Sequence, residues 1–262
     1  MKKKAFITGL SGQDGSYLCE HLLEQGYSVY GIVRRNSVPE HQETRIDHIE
    51  GDFTAEYGDL SDCGTLNKLL STIKPDYIFN LAAQSHVRIS YDIPQFTAQV
   101  NALGALNLLE AYRHNCPEAR YYQASSSEMF GNSVDEDDFQ RETTPFTPVS
   151  PYGCAKVYAF NITRNYRKAY NLFACNGILF NHESPRRGSN FVTSKVIKSA
   201  IMIKNGILDK LELGNMDSYR DWGHSYDYVR AMVKIINHTD PDDFVVATGE
   251  NHLHLLNYQT FH

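Results

Sequence analysis

The chain has 262 residues, a formal net charge of −6, a hydrophobic share of 42% and a charged share of 21%. That length and balance suit one large α/β domain, alone or with a smaller appendage, and suffice for a buried core. The negative charge argues against nucleic acid or an anionic membrane as the main partner.

Five scattered cysteines (Cys19, Cys63, Cys116, Cys154, Cys175) never take a CxxC spacing, so neither a zinc site nor a disulfide framework is expected. A reducing, cytoplasmic setting is the plain reading. The start "MKKKAFITG" is basic and then apolar, but the apolar part is too short for a signal peptide and runs into a glycine motif. No apolar run approaches the length of about 18 residues that a membrane helix needs.

In chain order, the pattern alternates short apolar runs with amphipathic ones. Strands are predicted at 5–9, 28–34, 54–60, 76–83, 119–126 and 173–181. Between them, helices are predicted at 16–26, about 61–72, through "ALGALNLLEAYRHN", and about 152–170. Strand and helix in alternation imply a parallel sheet covered on both faces, a doubly wound Rossmann-type α/β fold. After about residue 182 the rhythm changes. "SNFVTSKVIKSAIMIKNG" and "SYDYVRAMVKIINH" read as helices, "LELG" as a short strand and "DDFVVATG" as a final strand. The division expected is a Rossmann body at 1–182 and a smaller substrate-binding part at 183–262. The acidic run "DEDD" reads as a solvated loop.

"TGLSGQDG" follows the first strand and opens the first helix, placing Gly9, Gly12 and Gly15 in a G-x-x-G-x-x-G turn. Glycines let backbone approach a pyrophosphate, and the helix N-terminus supplies free N–H groups. The alternative is a tight turn without a ligand. The second strand ends in "VRRNS", with Arg34 and Arg35 where an NAD enzyme carries an acid that holds the ribose 2′-hydroxyl. Paired guanidinium groups suit a phosphate dianion, so NADP is preferred to NAD. "YGDLSD" places Asp59 and Leu60 at the end of the third strand, beside an expected adenine. "LAAQSHV" ends the fourth, beside the nicotinamide and its ribose. Either stretch is equally read as a strand-end turn.

"SPYGCAK" carries Tyr152 and Lys156 as Y-x-x-x-K, on one face of a helix. A nearby ammonium is expected to lower the phenol pKa, and a phenol so tuned takes a proton from an alcohol. "YQASSSEMFG" adds hydroxyls at a strand end and a carboxylate, Glu128, directly after them.

With these motifs the sequence resembles the extended short-chain dehydrogenase/reductase superfamily, and within it the GDP-mannose 4,6-dehydratase family. The resemblance rests on "TGLSGQDGSYL", "GIVRRNS", "YGDLSD", "LAAQSHVRIS", "YQASSSEMFG", "SPYGCAK", "NLFACNGILFNHESPRRGSNFVT" and "RDWGHSYDYV", and extends to about "VVATGE". It implies a hydro-lyase that oxidises C4 of GDP-mannose, eliminates water across C5 and C6, and reduces C6. That product feeds GDP-fucose or related deoxysugars. Tyr152 would take the C4 hydroxyl proton, Lys156 would tune Tyr152 and hold the nicotinamide ribose, Ser126 would bond the C4 oxygen, and Glu128 would be the elimination base. The family commonly has threonine at Ser126, so a rotamer-restricting methyl is lost.

Further cofactor contacts implied are Gly9, Gly12, Gln13, Asp14, Arg34, Arg35, Ser37, Asp59, Leu60, Leu81, Ala83, Gln84, Ser85, His182 and Arg187. A tyrosine of relatives stands here as Phe96, without its hydroxyl. Asn181, Asn190, Val192, Lys195 and Arg220 sit where the family grips the GDP-sugar. Relatives form dimers or tetramers, so a homo-oligomer is expected. The family runs beyond "ATGE" with an amphipathic helix, whereas this chain reads "NHLHLLNYQTFH", so its substrate part is expected to be incomplete. Two other readings stay open: an NADP-binding remnant or partner subunit without turnover, and another nucleotide-sugar epimerase or reductase.

Overall fold

The computed structural model describes residues 2–34, 44–213 and 219–253. Among these residues the strands are β1 (Lys4–Thr8), β2 (Ser28–Val33), β3 (Phe53–Tyr57), β4 (Tyr77–Asn80), β5 (Arg120–Ser126), β6 (Ala174–Leu179), β7 (Asn181–Glu183), β8 (Tyr219–His224), β9 (Asp243–Val246) and β10 (Asn251–Leu253). Seven form one sheet in the order β3-β2-β1-β4-β5-β6-β9, with every pair parallel. The order reverses between β1 and β4, and this switch point is where a doubly wound sheet opens a crevice beyond its strand ends. A second sheet, β10-β8-β7, flanks it.

The central strands are continuous apolar runs because helices cover both faces. Alternation along β1 divides the core: Ala5 and Ile7 face one layer, Phe6 the other, all with no exposure. On the first face α1 (Gln13–Glu24) contributes Leu18, Cys19 and Leu22, and packs against α8 (Ser225–Ile236), whose Val229, Met232 and Ile236 are buried. On the second, α2 (Cys63–Ile73) and α5 (Gly104–Asn115) bring Leu66, Leu70, Leu108, Leu109 and Tyr112. Each such side chain stabilises the fold by about 1.5–3 kcal/mol. Helix ends follow local chemistry. Asp62 caps α2 by accepting from Thr65 N at 3.1 Å. Gly26, at φ +81, supplies the left-handed turn that leads out of α1 into β2.

Several boundaries differ from the expected ones. α1 starts directly after Gly12, three residues before the predicted start, because the glycine turn itself forms the helix N-terminus. β3 stops at Tyr57 and β4 at Asn80, so Asp59, Leu60 and residues 81–86 lie on loops. The stretch before α5 is helical as well: α3 (Val87–Asp92), α4 (Pro94–Ala98) and a π-helical turn (Gln99–Leu103) lead into it. Pro94 starts α4 because its ring is preset for a first helical position and needs no N–H partner. "LELG" forms no strand over its described residues 211–213, which have no strand beside them to pair with. β9 is not the last strand; β10 follows and pairs with β8.

Past residue 182 the chain contributes to the small sheet and to the first face of the main sheet. α6 (Pro151–Ala169) and α7 (Val192–Lys204) differ sharply in cover, since α7 buries only Ser199 among its residues. Meanwhile α8 and β9 return to the main sheet. Among the described residues no helix is long and apolar enough to cross a membrane.

Candidate active site

Two adjoining clefts open over the strand ends at the switch point. The first, about 360 Å³, is walled by the glycine turn, Ile32 to Arg34 at the end of β2, Gly58 to Leu60 after β3, and residues 81–83 after β4. The second, about 550 Å³, holds Ser126, Glu128, Tyr152, Lys156, Asn181, Glu183, Asn190, Val192, Lys195 and Arg220. Asp14, Leu81, Ala83, Ser85, Arg187 and Phe191 line both, so the two form one groove.

The glycine turn is tight for a steric reason. Gly9 sits at φ +72, and a Cβ there would lie 2.9 Å from Ala82 N. At Gly15 a Cβ would collide with the Gly9 carbonyl. Only glycines let the turn fold back under the start of α1 and beside the β4 loop. That loop is held in turn by Asn101 in the π-helical turn, which accepts from Gln84 N at 2.8 Å and donates to Gln84 O at 2.9 Å. A buried network ties the strand ends below: Thr8 Oγ1 donates to Asn80 Oδ1 at 2.6 Å, and Asn80 Nδ2 to Gln123 Oε1 at 2.8 Å.

Around Tyr152 the geometry is set by the start of α6. Ser150 caps it, accepting from Gly153 N at 3.0 Å, and Pro151 occupies the first turn. Gly153 has no Cβ because one would lie 2.7 Å from the Glu128 carbonyl. This contact brings the turn bearing Glu128 against the helix bearing Tyr152. Ser126 Oγ accepts from Glu128 N at 3.2 Å, capping the one-turn 3₁₀ helix Ser127–Met129. Lys156 is almost fully buried, its Nζ donating to Ala124 O at 2.8 Å and lying 5.7 Å from the Tyr152 ring centre.

Burial dominates the protonation of this pair, against the expectation from spacing. It pushes the Tyr152 phenol up to about 12, although a hydrogen bond from Ser126 pulls the other way and Glu128's charge adds to the rise. It pulls the Lys156 ammonium down to about 8. The shared helix face is therefore as predicted, but the net shift of the phenol is upward because burial outweighs the Ser126 hydrogen bond.

Asp14 and Gln13 line the first cleft and are also bonded within the protein. Desolvation raises the Asp14 carboxyl, but His182 and Ser225 outweigh it and hold it at about 2. His182 Nε2 bonds Asp14 Oδ2 at 2.8 Å, and Ser225 Oγ donates to Oδ1 at 2.6 Å. Burial lowers the imidazolium, yet Asp14 leaves it raised above its ordinary value. Gln13 Nε2 donates to His182 O at 3.2 Å, and Ser184 Oγ donates to Gln13 Oε1 at 2.8 Å. These bonds tie the N-terminus of α1 to β7 and α8.

The sequence-chosen residues gather in this groove with few exceptions. Gln84 lines neither cleft; its amide donates to His86 O at 3.1 Å. Phe96 is 43% exposed on α4 and lies in neither. Arg35 and Ser37 lie outside the described residues. Arg220 and Asn181 also border a third cleft of about 300 Å³. Wall residues that sequence reasoning did not single out include Arg45, Glu183 and Phe191. Glu183 pairs with Arg187 Nε at 3.1 Å and accepts from Thr193, joining β7 to α7. It sits inside "NHESPRRG", a signal available in principle; Arg45 has no such motif.

A profile of the GDP-mannose 4,6 dehydratase family matches residues 6–257. The chain belongs to the GDP-mannose 4,6-dehydratase family. It is 54% identical to the GDP-mannose 4,6-dehydratase of Yersinia enterocolitica over 257 residues, which cover 95% of this chain and 68% of that protein. Among solved structures, the UDP-glucose 4-epimerase of Thermus thermophilus in complex with NAD superposes with a TM-score of 0.84 at 24% identity, covering 98% of this chain and 81% of that one. RMD from Pseudomonas aeruginosa complexed with NADPH gives 0.79 at 23% identity, covering 98% and 82%. At those identities the likeness is one of fold. GDP-mannose 4,6-dehydratase family members are hydro-lyases acting on a nucleotide sugar, and this groove joins a dinucleotide-type turn to a tyrosine, a lysine and a carboxylate.

Proposed function

We propose that the chain converts GDP-mannose to GDP-4-keto-6-deoxymannose with NADP as cofactor. The observation that carries this reading is the single groove in which Ser126, Glu128, Tyr152 and Lys156 adjoin the glycine turn. The residues fit a dinucleotide: the turn leaves no room for side chains at Gly9 and Gly15, and the helix N-terminus behind it is open to an anion. Neighbours of the same fold are complexed with NAD and with NADPH. Arg34 in the cleft wall favours the phosphorylated form, since it stands directly after β2 where an NAD enzyme carries a carboxylate.

Bound there, a nicotinamide ring supplies a reversible two-electron acceptor. The protein's part is proton handling and positioning. Tyr152 Oη takes the C4 hydroxyl proton while Ser126 Oγ holds the same oxygen. Lys156, anchored on Ala124 O, sets the polarity beneath Tyr152. Oxidation at C4 acidifies the C5 hydrogen, and a Glu128 carboxylate oxygen takes it. Glu128 returns that proton to the C6 oxygen, which leaves as water. As C6 is reduced, C5 takes up the proton that Tyr152 removed from the C4 hydroxyl, so oxidation at C4 and reduction at C6 balance and the product is lighter than the substrate by one water. Asn181, Asn190, Val192, Lys195 and Arg220 hold the GDP end in the second cleft.

The proposed organisation is a cofactor body over 1–182 and a substrate part over 183–262. The chain is also proposed to form a homo-oligomer, supported by exposed Phe96, Leu103 and Tyr158 on the packed α4, π-helical turn and α6. Mass spectrometry of a reaction with GDP-mannose and catalytic NADP tests the activity. The expected product is one water lighter without net NADPH; unchanged GDP-mannose refutes the proposal.

A further inference from the structure

His86 stands in the wall of the second cleft and is bonded at both ends of its ring. It caps α3, its Nδ1 accepting from Ile89 N at 3.3 Å. Its Nε2 reaches Asn190 O at 3.2 Å, 104 positions along the chain. A backbone N–H only donates and a carbonyl only accepts. The two bonds therefore define one tautomer, with the proton on Nε2 and the free lone pair on Nδ1. The imidazole also lies 5.4 Å from the Phe191 ring, and the Arg187 guanidinium rests 3.6 Å from the centre of that ring.

The exposure of α7 gives this strut its importance. Val192 and Lys195, on the first turn of α7, line the second cleft together with Asn190. Yet from residue 197 to residue 204 every position except Ser199 is exposed. Little apolar burial holds the helix down, so its placement over the cleft depends on tethers near its start. Glu183 accepts from Thr193 on the first turn, and His86 holds the chain that enters the helix by donating to Asn190 O. We propose that His86 is a positioning residue for the substrate: it fixes residues 190–195 against α3, and so sets the geometry in which Asn190, Val192 and Lys195 meet the nucleoside-diphosphate end of the sugar nucleotide. This inference rests on the substrate reading above.

The two ends of the imidazole are separable by substitution, because an asparagine amide occupies the place of Nδ1 and a glutamine amide that of Nε2. Titration calorimetry of the full chain with GDP-mannose and with NADP supplies the readout. His86→Asn keeps the cap but loses the strut; it weakens GDP-mannose about ten-fold and leaves NADP within about two-fold. His86→Gln keeps a donor for Asn190 O; it retains more GDP-mannose affinity than His86→Asn, although the lost cap lowers its unfolding temperature. Retained NADP binding establishes that both variants fold. If His86→Asn binds GDP-mannose as the wild type does, or better than His86→Gln does, His86 is only a helix cap and the inference is overturned. Equal weakening of both ligands in His86→Asn overturns it as well. A wild-type chain that binds NADP but not GDP-mannose overturns the substrate reading, and the inference with it.

Discussion

Tyr152 and Lys156 stand one helical turn apart, and burial moves their protonation in opposite directions. Lys156, depressed to about 8, holds fewer protons folded than unfolded between pH 8 and its ordinary value of 10.5. Stability therefore rises with pH across that window, and Lys156→Met should flatten the rise in pH-dependent thermal unfolding while abolishing turnover. Tyr152→Phe removes the proposed acceptor of the C4 proton; transient NADPH formation at the wild-type rate would speak against that role. Glu128→Gln should keep both ligands bound yet yield no product one water lighter, because an amide cannot take the C5 proton. Asp14 gives the acid limb. Its carboxyl, lowered to about 2 from an ordinary 3.8, contributes stability above pH 3.8 that is lost as pH falls toward 2. His182, raised, contributes below pH 6.5 and loses that contribution as pH climbs through its folded value. Asp14→Asn should cost about 3 kcal/mol in denaturant unfolding, the low end for breaking a buried pair, since the Asp14 side chain keeps 22% exposure.

Elements carry these side chains only because a few glycines and one cap let them approach. A methyl at Gly153 would meet the Glu128 carbonyl at 2.7 Å and push α6 from the turn that bears the carboxylate. Gly153→Ala should therefore lower kcat by about ten-fold or more while cofactor affinity changes little, read by steady-state rates beside NADP titration. Element types were legible where periodicity was long and local, as in α1, α2, α6 and α8. Element ends were not. β4 stops at Asn80 because the next residues turn to meet Asn101, a partner seventeen positions away. The π-helical turn that presents Asn101 has no sequence period of its own. β7, β8 and β10 are short strands whose existence depends on pairing with each other, so no single stretch announced them.

At the scale of the whole molecule, the sheet order sets where the groove opens, and exposed apolar residues support the proposed homo-oligomer. Phe96 and Leu103, each 43% exposed, lie on consecutive helical segments beside α6. Sedimentation of the wild-type chain should give an oligomer, and Phe96→Asp with Leu103→Asp should shift it to smaller species; an unaltered distribution would place the interface elsewhere. The sequence by itself determined the alternation of strand and helix, the glycine turn, the Y-x-x-x-K face and the carboxylate after the fifth strand. Each of these is encoded within a few residues of chain, where spacing and side-chain type act directly. Tertiary structure alone decided the direction in which Tyr152 shifts, because that depends on burial by distant elements. It also turned Gln13 and Asp14 toward His182 and Ser184, 168 to 171 positions along the chain. Finally it brought Arg45 to the glycine turn, since the bonds to Ser11 and Arg186 that orient it span 34 and 141 positions. Contacts of that range depend on how the layers stack, which no local pattern encodes.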